Sequence, residues 1–452
     1  MLKAMRLFPH CFLAAFLAVS ILTPVRGQET GKARSEILSV PFRGGGVYNM
    51  YPESPEAPGT PPKGYKPFYI SHFGRHGARY NLGGYETLLR RLDKAHEQGL
   101  LTPYGETFRF RYRKMFPSLR DRGGDLSFKG QRQQFGIAHR MSRNYPEVFR
   151  RAPHIVAVSS TVQRCVLTMG AFCLQMAREM PGIDIRMDQG NVYMDYMSAQ
   201  SDFNPAYIAS KRARKDSVRN ADYRKNLSIL VERIDFEPIL GRLFTDPAAA
   251  APIFNDDPKG FVSDLYYLVA STQSVDYEED FHDLFTPEEW YGLWAVDNFQ
   301  FYAHFGPAPY FGGLQWATAE TLLRKILDEA RQDLGEGRVG LRCRFGHDVG
   351  LMALLSLLRA DGFALGPADP AKVADCWQDY NFPMSVNLQW IFFRNREGKV
   401  LVHFLLNEEE LSLPLPAVAS KDGGKYYEWD LLQGYCEERI ADARRLIESV
   451  NN

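Results

Sequence analysis

Three times along the chain, a short apolar run ends at or near a glycine or a Ser/Thr pair and gives way to helical spacing. Residues 67–73 (PFYISHF) form a compact apolar and aromatic run that predicts a buried strand ending at Gly74, and a helical pattern follows from about Tyr85 to Gln98 (YETLLRRLDKAHEQ). Residues 74–82 between them read as a strand-to-helix turn. Residues 154–160 (HIVAVSS) predict a second strand, followed by TVQRCVLTMGAFCLQMAREM with apolar positions at 3.6-residue spacing and Ser160 or Thr161 as its cap. Residues 339–345 (VGLRCRF) predict a third strand, followed by Gly346-His347-Asp348 and the helical VGLMALLSLLRADG. This alternation predicts an α/β fold with a mostly parallel sheet flanked by helices, in which chemistry gathers at the C-terminal ends of the strands.

From about 190 to 316 the alternation stops. This stretch is rich in aromatic, charged and Asn/Asp residues, with helix-like pieces such as PEEWYGLWAVDNFQFYAHF, and reads as a mainly helical cap inserted into the core. The core is then 28–189 together with 317–452. Residues 319–334 return to it as a helix, residues 388–395 and 399–407 flank Arg-Glu-Gly as a hairpin, and 427–448 form a closing helix. The Gly- and Pro-rich residues 28–66 read as an irregular lead-in.

Residues 1–27 carry a different pattern. Lys3 and Arg6 precede an apolar run from Cys11 to Leu22, and the small Gly27 closes the segment, as in a secretory signal peptide. The run is short for a membrane span, which needs about 20 apolar residues. The expectation is therefore an exported, periplasmic or secreted chain with no stable membrane insertion once the leader is cleaved. Of 452 residues, 54 are Lys or Arg and 54 are Asp or Glu, so no global basic field attracts nucleic acid. Removing Lys3, Arg6 and Arg26 leaves a net charge of −3. Five cysteines then remain: Cys165, Cys173, Cys343, Cys376 and Cys436. Cys165 and Cys173 lie about 12 Å apart by helical rise, too far to bridge, and the set reads mostly as core thiols with room for one disulfide. No CxxC pair or other metal-ligand spacing appears, so neither a metal nor another cofactor is expected.

The chemistry sits at the strand ends. Arg75-His76-Gly77-Ala78-Arg79 follows the first strand directly and brackets a histidine with two arginines. Guanidinium forks suit phosphate or carboxylate oxygens, Gly77 lets backbone approach a ligand, and a following helix start offers N–H groups. An imidazole in that setting is a competent nucleophile toward phosphorus. His347-Asp348 ends the third strand with a second imidazole and a carboxyl able to act as general acid, and Arg164 opens the helix after the second strand. His282-Asp283 repeats the His-Asp pair in a polar stretch with no strand before it and reads as solvated. His72 reads as a packed strand residue.

RHGAR (75–79), SSTVQRCVLTMGAF (159–172) and FGHDVGLMALL (345–355), in this order, resemble the three signatures of the histidine acid phosphatases. That branch of the histidine phosphatase superfamily contains phytases, acid phosphatases and multiple inositol polyphosphate phosphatases. LSFKGQRQQFGIAHRM (126–141) is similar to the helix between the first two signatures. The resemblance implies a phosphoglycerate mutase-like core. By position it implies that His76 is the nucleophile that forms a phosphohistidine and that Asp348 protonates the leaving alcohol. It further implies that Arg75, Arg79, Arg164 and His347 bind the phosphoryl group. It implies no metal and an acidic optimum. The sequence departs from the pattern at Asn81, where many members have Pro, and a small effect is expected there. His-Asp is the phytase and acid phosphatase form; the inositol polyphosphate phosphatases typically show His-Ala-Glu. By the same analogy Pro383 and Asn387 fall near the site.

The expected partner is a phosphorylated small molecule, such as phytate or another inositol phosphate. Lys211, Arg212, Arg214, Lys215, Arg219, Arg224 and Lys225 form either a basic wall for a polyphosphorylated substrate or a solvated helix face, with the solvated face favoured. Trp290, Tyr291, Trp294, Phe299 and Phe301 read as cap core. Two other functions remain open at this point: an exported protein that only binds phosphorylated ligands, and a mutase-like phosphotransferase. Oligomeric state is not legible.

Overall fold

The computed structural model describes residues 31–451 apart from Ser54, Glu56, Ala57, Pro58, Asp216 and Leu365. The leader-like segment 1–27 lies outside the described residues. A nine-stranded mixed sheet organises the chain: β1 (Lys66–Arg75), β2 (His154–Ser159), β3 (Asp184–Gln189), β4 (Val339–Gly346), β5 (Asn387–Arg394), β6 (Val400–Leu406), β7 (Glu409–Glu410), β8 (Val418–Ala419) and β9 (Lys425–Glu428). Their order is β3-β2-β4-β1-β5-β6-β9-β8, with β7 paired to β6. The first four strands are mutually parallel; β5 and those beyond it run antiparallel. The mostly parallel core read from the sequence is therefore present, extended by an antiparallel half that begins with the expected hairpin β5–β6.

Alternation along β1 sends its side chains to two apolar layers. Ile70 joins Ile155, Leu341, Cys343, Phe345 and Phe172 beneath the helices Phe128–Asn144 and Gln163–Glu179, which pack on each other. Tyr69 and Phe73 face the opposite layer, where helices Glu320–Glu336 and Trp429–Asn451 pack together. Cys165, Cys173, Cys343 and Cys436 are buried thiols, and no disulfide joins any two of them.

Residues 190–316 contain helices and turns, and no β-strand among the described residues. The helix Pro287–Phe305 has the bounds expected of it and starts with a Thr286–Glu289 capping box. Trp290, Trp294 and Phe299 are buried, with Tyr291 and Phe301 packed against them. Helices Tyr85–Glu97 and Pro103–Leu119, from the N-terminal half, pack against Pro258–Thr272 and Phe236–Leu243.

Three expectations need correction, and one strand, β3, has no counterpart in the sequence reading. The edge strand β3 has no apolar run, because most of its residues are exposed. Neither Ser160 nor Thr161 caps the helix Gln163–Glu179; its N-cap is Val162, with no side-chain bond. His282 is half-buried, stacked edge-on to Phe42 and Trp290, while Asp283 pairs with Arg111 at 2.8 Å. The lead-in is structured: Lys32–Ser39 is a helix and Pro41–Tyr48 a tight 3-10 segment whose Gly44–Tyr48 are buried.

That segment sits on two buried acids. Tyr267 donates to Asp297 at 2.6 Å, and Trp294 Nε1 donates to Asp379 at 2.8 Å. Burial pushes Asp297 up to about 6; burial and then the Asp297 charge push Asp379 well above the usual carboxylate range. An acid whose folded pKa lies above its unfolded value holds extra protons in the folded state. Its stabilisation is complete below the unfolded value of roughly 4 and is lost as pH rises through the folded one. Buried His72, His76 and His347, whose pKa values are lowered, act in the opposite sense over the same range, so the pair is read as a difference: the melting temperature of Asp297→Asn, which keeps the acceptor for Tyr267, is expected to rise relative to wild type as pH goes from about 4 through about 6. Thermal melts of both chains across this range check it.

Candidate active site

The parallel register brings the three motifs to one edge. Arg75 at the end of β1 lies beside Gly346 at the end of β4, and Ser159 at the end of β2 lies beside Phe345. His76, Arg164 and His347 therefore leave three adjacent strand ends. Because β5 runs antiparallel, its preceding loop reaches the same edge. The Arg75 N–H donates to Val386 O at 2.8 Å, and the Ser385 N–H donates to His76 O at 3.1 Å. Ser385 holds φ +63°, a strained backbone for a residue with a Cβ.

The turn after β1 is fixed by backbone. A Cβ on Gly77 would meet Gly130 O at 2.5 Å, so the turn packs directly on the start of the helix Phe128–Asn144. The Gly77 N–H donates to Thr168 Oγ1 at 3.1 Å and the Ala78 N–H to Gln133 Oε1 at 2.9 Å. Gln133 Oε1 also accepts from Ser385 Oγ at 2.8 Å. Thr168, Gln133 and Ser385 escape sequence reasoning because they act on the main chain and carry no chemistry.

His76 is buried, and its Nδ1 lies 2.9 Å from Gly77 O. A carbonyl oxygen only accepts, so Nδ1 carries the proton and Nε2 keeps its lone pair. Burial, reinforced by Arg75, Arg164 and Arg79, holds the His76 pKa well below the ordinary imidazole value. The ring of His347 stands edge-on to it, with centroids 5.6 Å apart. Burial and then Arg164 lower His347 to about 4. Cys165 Sγ lies 3.8 Å from His347 Nε2 and donates to Gly346 O at 3.3 Å.

Arg75 is almost wholly buried. It donates from Nη1 to Val47 O at 2.5 Å and to Phe382 O at 3.0 Å, and its Nη2 pairs with Asp348 Oδ2 at 2.8 Å. Asp348 opens a helix and accepts the Val349 N–H at 2.9 Å. Desolvation lowers Arg75 to about 10, and burial with the neighbouring Arg79 lowers Arg164. The Nε atoms of Arg75, Arg79 and Arg164 are buried with no hydrogen-bond partner among the described residues. Converging cations with unmet donors suit an oxyanion. No cluster able to hold a metal occurs among the described residues.

All six residues singled out from the sequence thus meet at one edge. His72 stays apart, buried between Phe172 and Phe345. Asn387 lies one position inside the edge, opposite Gly74, and bonds Tyr51 and Gln389; Pro383 is in the loop that delivers Ser385 and Val386. In the basic cluster, Lys211 pairs with Asp202 at 2.8 Å. Asn81 is more than a turn former. Its Oδ1 accepts from Tyr48 at 2.7 Å, and its N–H donates to the Tyr85 hydroxyl at 2.6 Å.

An imidazole whose Nε2 has no hydrogen-bond partner among the described residues, ringed by guanidinium groups at the C-terminal edge of a parallel sheet, suits an enzyme that acts on a phosphoryl group. Residues 74–407 match the histidine phosphatase superfamily (branch 2); the chain belongs to this family and is a phosphatase. Comparison with curated proteins gives no match. Among solved structures, the fold is similar to that of the Bifidobacterium longum multiple inositol polyphosphate phosphatase in complex with inositol hexasulfate. The TM-score is 0.72 at 17% identity, over 87% of this chain and 97% of that one. The phytase from D. castellii gives 0.59 at 16% identity (88% and 85% covered). The Hafnia alvei phytase gives 0.52 at 14% identity (85% and 99% covered).

Proposed function

We propose that this chain is an exported acid phosphatase that hydrolyses phosphate monoesters, inositol phosphates among them, through a phosphohistidine on His76. The observation that carries this reading is the His76 tautomer: Nδ1–H held by Gly77 O, Nε2 free, and a pKa depressed by burial and three arginines. Nε2 attacks phosphorus, the P–O bond to the alcohol breaks, and the Asp348 proton passes to the departing oxygen. Water then attacks the phosphohistidine, Asp348 takes back a proton, and the P–N bond breaks to release inorganic phosphate. Arg75, Arg79, Arg164 and His347 hold the phosphoryl oxygens in both steps, so catalysis rests on positioning and fixed charge. Segment 190–316 serves as the cap over the substrate side. The fold likeness to an inositol polyphosphate phosphatase and to phytases supports inositol phosphates as substrates. The leader-like segment 1–27 supports export, and no described helix is long and apolar enough to cross a membrane.

The test is phosphate release from phytate and from an aryl phosphate, with a chelator present, as a function of pH. An ordinary imidazole would protonate at roughly 6.5 and lose its lone pair below that. His76, held well below this value, keeps its lone pair in acid, while the reaction needs Asp348 protonated. Release is therefore expected to rise as pH falls below 6.5, without an imidazole limb near that value. Release confined to neutral pH, or abolished by the chelator, would overturn the reading.

A further inference from the structure

We propose that Tyr48 is a positioning residue that holds Arg79 in the phosphoryl site, with Asn81 as its anchor; this rests on the site described above as binding phosphate. Tyr48 belongs to the N-terminal strap Gly44–Tyr48, upstream of residue 74, where the family match begins.

The strap is fixed from behind. Gly46 holds φ +55° and ψ −125°, and a Cβ there would run into the Asp379 carboxyl. Glycine alone meets both conditions. The Asp379 carboxyl is itself held by Trp294. Tyr266 donates to Gly44 O at 2.8 Å, and Ser274 donates to Tyr48 O at 3.2 Å.

Its front face touches both arginines of the RHGAR motif. Val47 O accepts from Arg75 Nη1 at 2.5 Å, and the Arg79 guanidinium carbon lies 5.2 Å from the Tyr48 ring centroid. No carboxylate pairs with Arg79 among the described residues; its Nη1 donates to Tyr80 O at 2.9 Å, and its Nε is unpartnered. The aromatic face is thus the main side-chain contact that sets where this buried cation points. Arg79 is 6% exposed and Tyr48 5%, so the cation–π attraction is poorly screened.

The ring is fixed in turn by Asn81, which accepts the Tyr48 hydroxyl at 2.7 Å and the Leu82 N–H at 2.8 Å through the same oxygen. A proline at 81 would remove that acceptor and the N–H that donates to Tyr85. The departure at Asn81 and the tyrosine of the strap therefore form one device.

The experiment is calorimetric titration of the full chain with inorganic phosphate, which reads Arg79 without requiring turnover. Wild type, Tyr48→Phe, Tyr48→Leu, Asn81→Ala and Arg79→Ala are compared, along with Tyr48→Leu and Asn81→Ala in the Arg79→Ala background. Tyr48→Leu is expected to weaken phosphate about tenfold and Tyr48→Phe, which keeps the aromatic face, about threefold or less. Asn81→Ala falls between them. In the Arg79→Ala background neither substitution weakens binding further. Unchanged affinity in Tyr48→Leu, or the same loss with and without Arg79, overturns the proposal. Should Tyr48→Leu fail to fold, the Asn81→Ala cycle decides by the same criterion. A wild-type chain that binds phosphate in this pattern yet cleaves no ester sinks the hydrolytic reading and leaves the role of Tyr48 standing. One that binds no phosphate overturns both.

Discussion

His76→Ala is expected to lower phosphate release by about 10⁵-fold while leaving inorganic phosphate affinity within about tenfold of wild type. The two effects separate because the groups that bind and the group that reacts are different. Arg75 remains anchored by Val47 O, Phe382 O and Asp348, and Arg164 and Arg79 carry the remaining positive charge. Removing the imidazole takes away the nucleophile proposed for the reaction. It also removes a neutral group, so no charge is left unpaired and the fold should tolerate it. Initial-rate measurements on an aryl phosphate, with phosphate as competitive inhibitor, check both numbers. A loss of only tenfold would mean that water, not His76, attacks phosphorus.

The second large effect depends on the ester. Asp348→Asn is expected to cost about 10³-fold on alkyl phosphates such as inositol phosphates, and about tenfold or less on nitrophenyl phosphate. An alkoxide is a poor leaving group and needs the proton as the P–O bond breaks; a nitrophenolate leaves without one. The amide of the substituted side chain is far too weak an acid to supply that proton. Its oxygen still accepts from Arg75, so the buried guanidinium keeps a partner and the large penalty of an orphaned charge is avoided. Equal losses on both esters would place the role of Asp348 in holding Arg75 rather than in proton transfer.

The core, and the meeting of the six candidate residues at one sheet edge, were legible because each motif follows an apolar strand and the residues of each motif are local in sequence. RHGAR and GHD end β1 and β4, whose parallel pairing places Arg75 beside Gly346. Other parts were hidden for physical reasons. β3 (DIRMDQ) lies at the sheet edge and is exposed on most positions, so it lacks the apolar signature. The glycines 44–46 look like loop sequence, and their order comes from Asp379 and Trp290, far along the chain. Thr168, Gln133 and Ser385 hold the turn after β1 through main-chain bonds, for which composition gives no sign. His282-Asp283 shows the opposite limit: a motif-like pair in which His282 packs against Phe42 and Trp290 while Asp283, exposed as expected, pairs with Arg111.

The central claim is a covalent bond between phosphorus and His76 Nε2. The most direct measurement is rapid quenching of the wild-type chain, in base, during turnover of a ³²P-labelled phosphate ester, followed by peptide mapping. Base-stable, acid-labile label is expected on the peptide that carries His76, formed within the first turnover and absent in His76→Ala. Label on another residue, or burst-free turnover with no protein-bound phosphate in either chain, would contradict it.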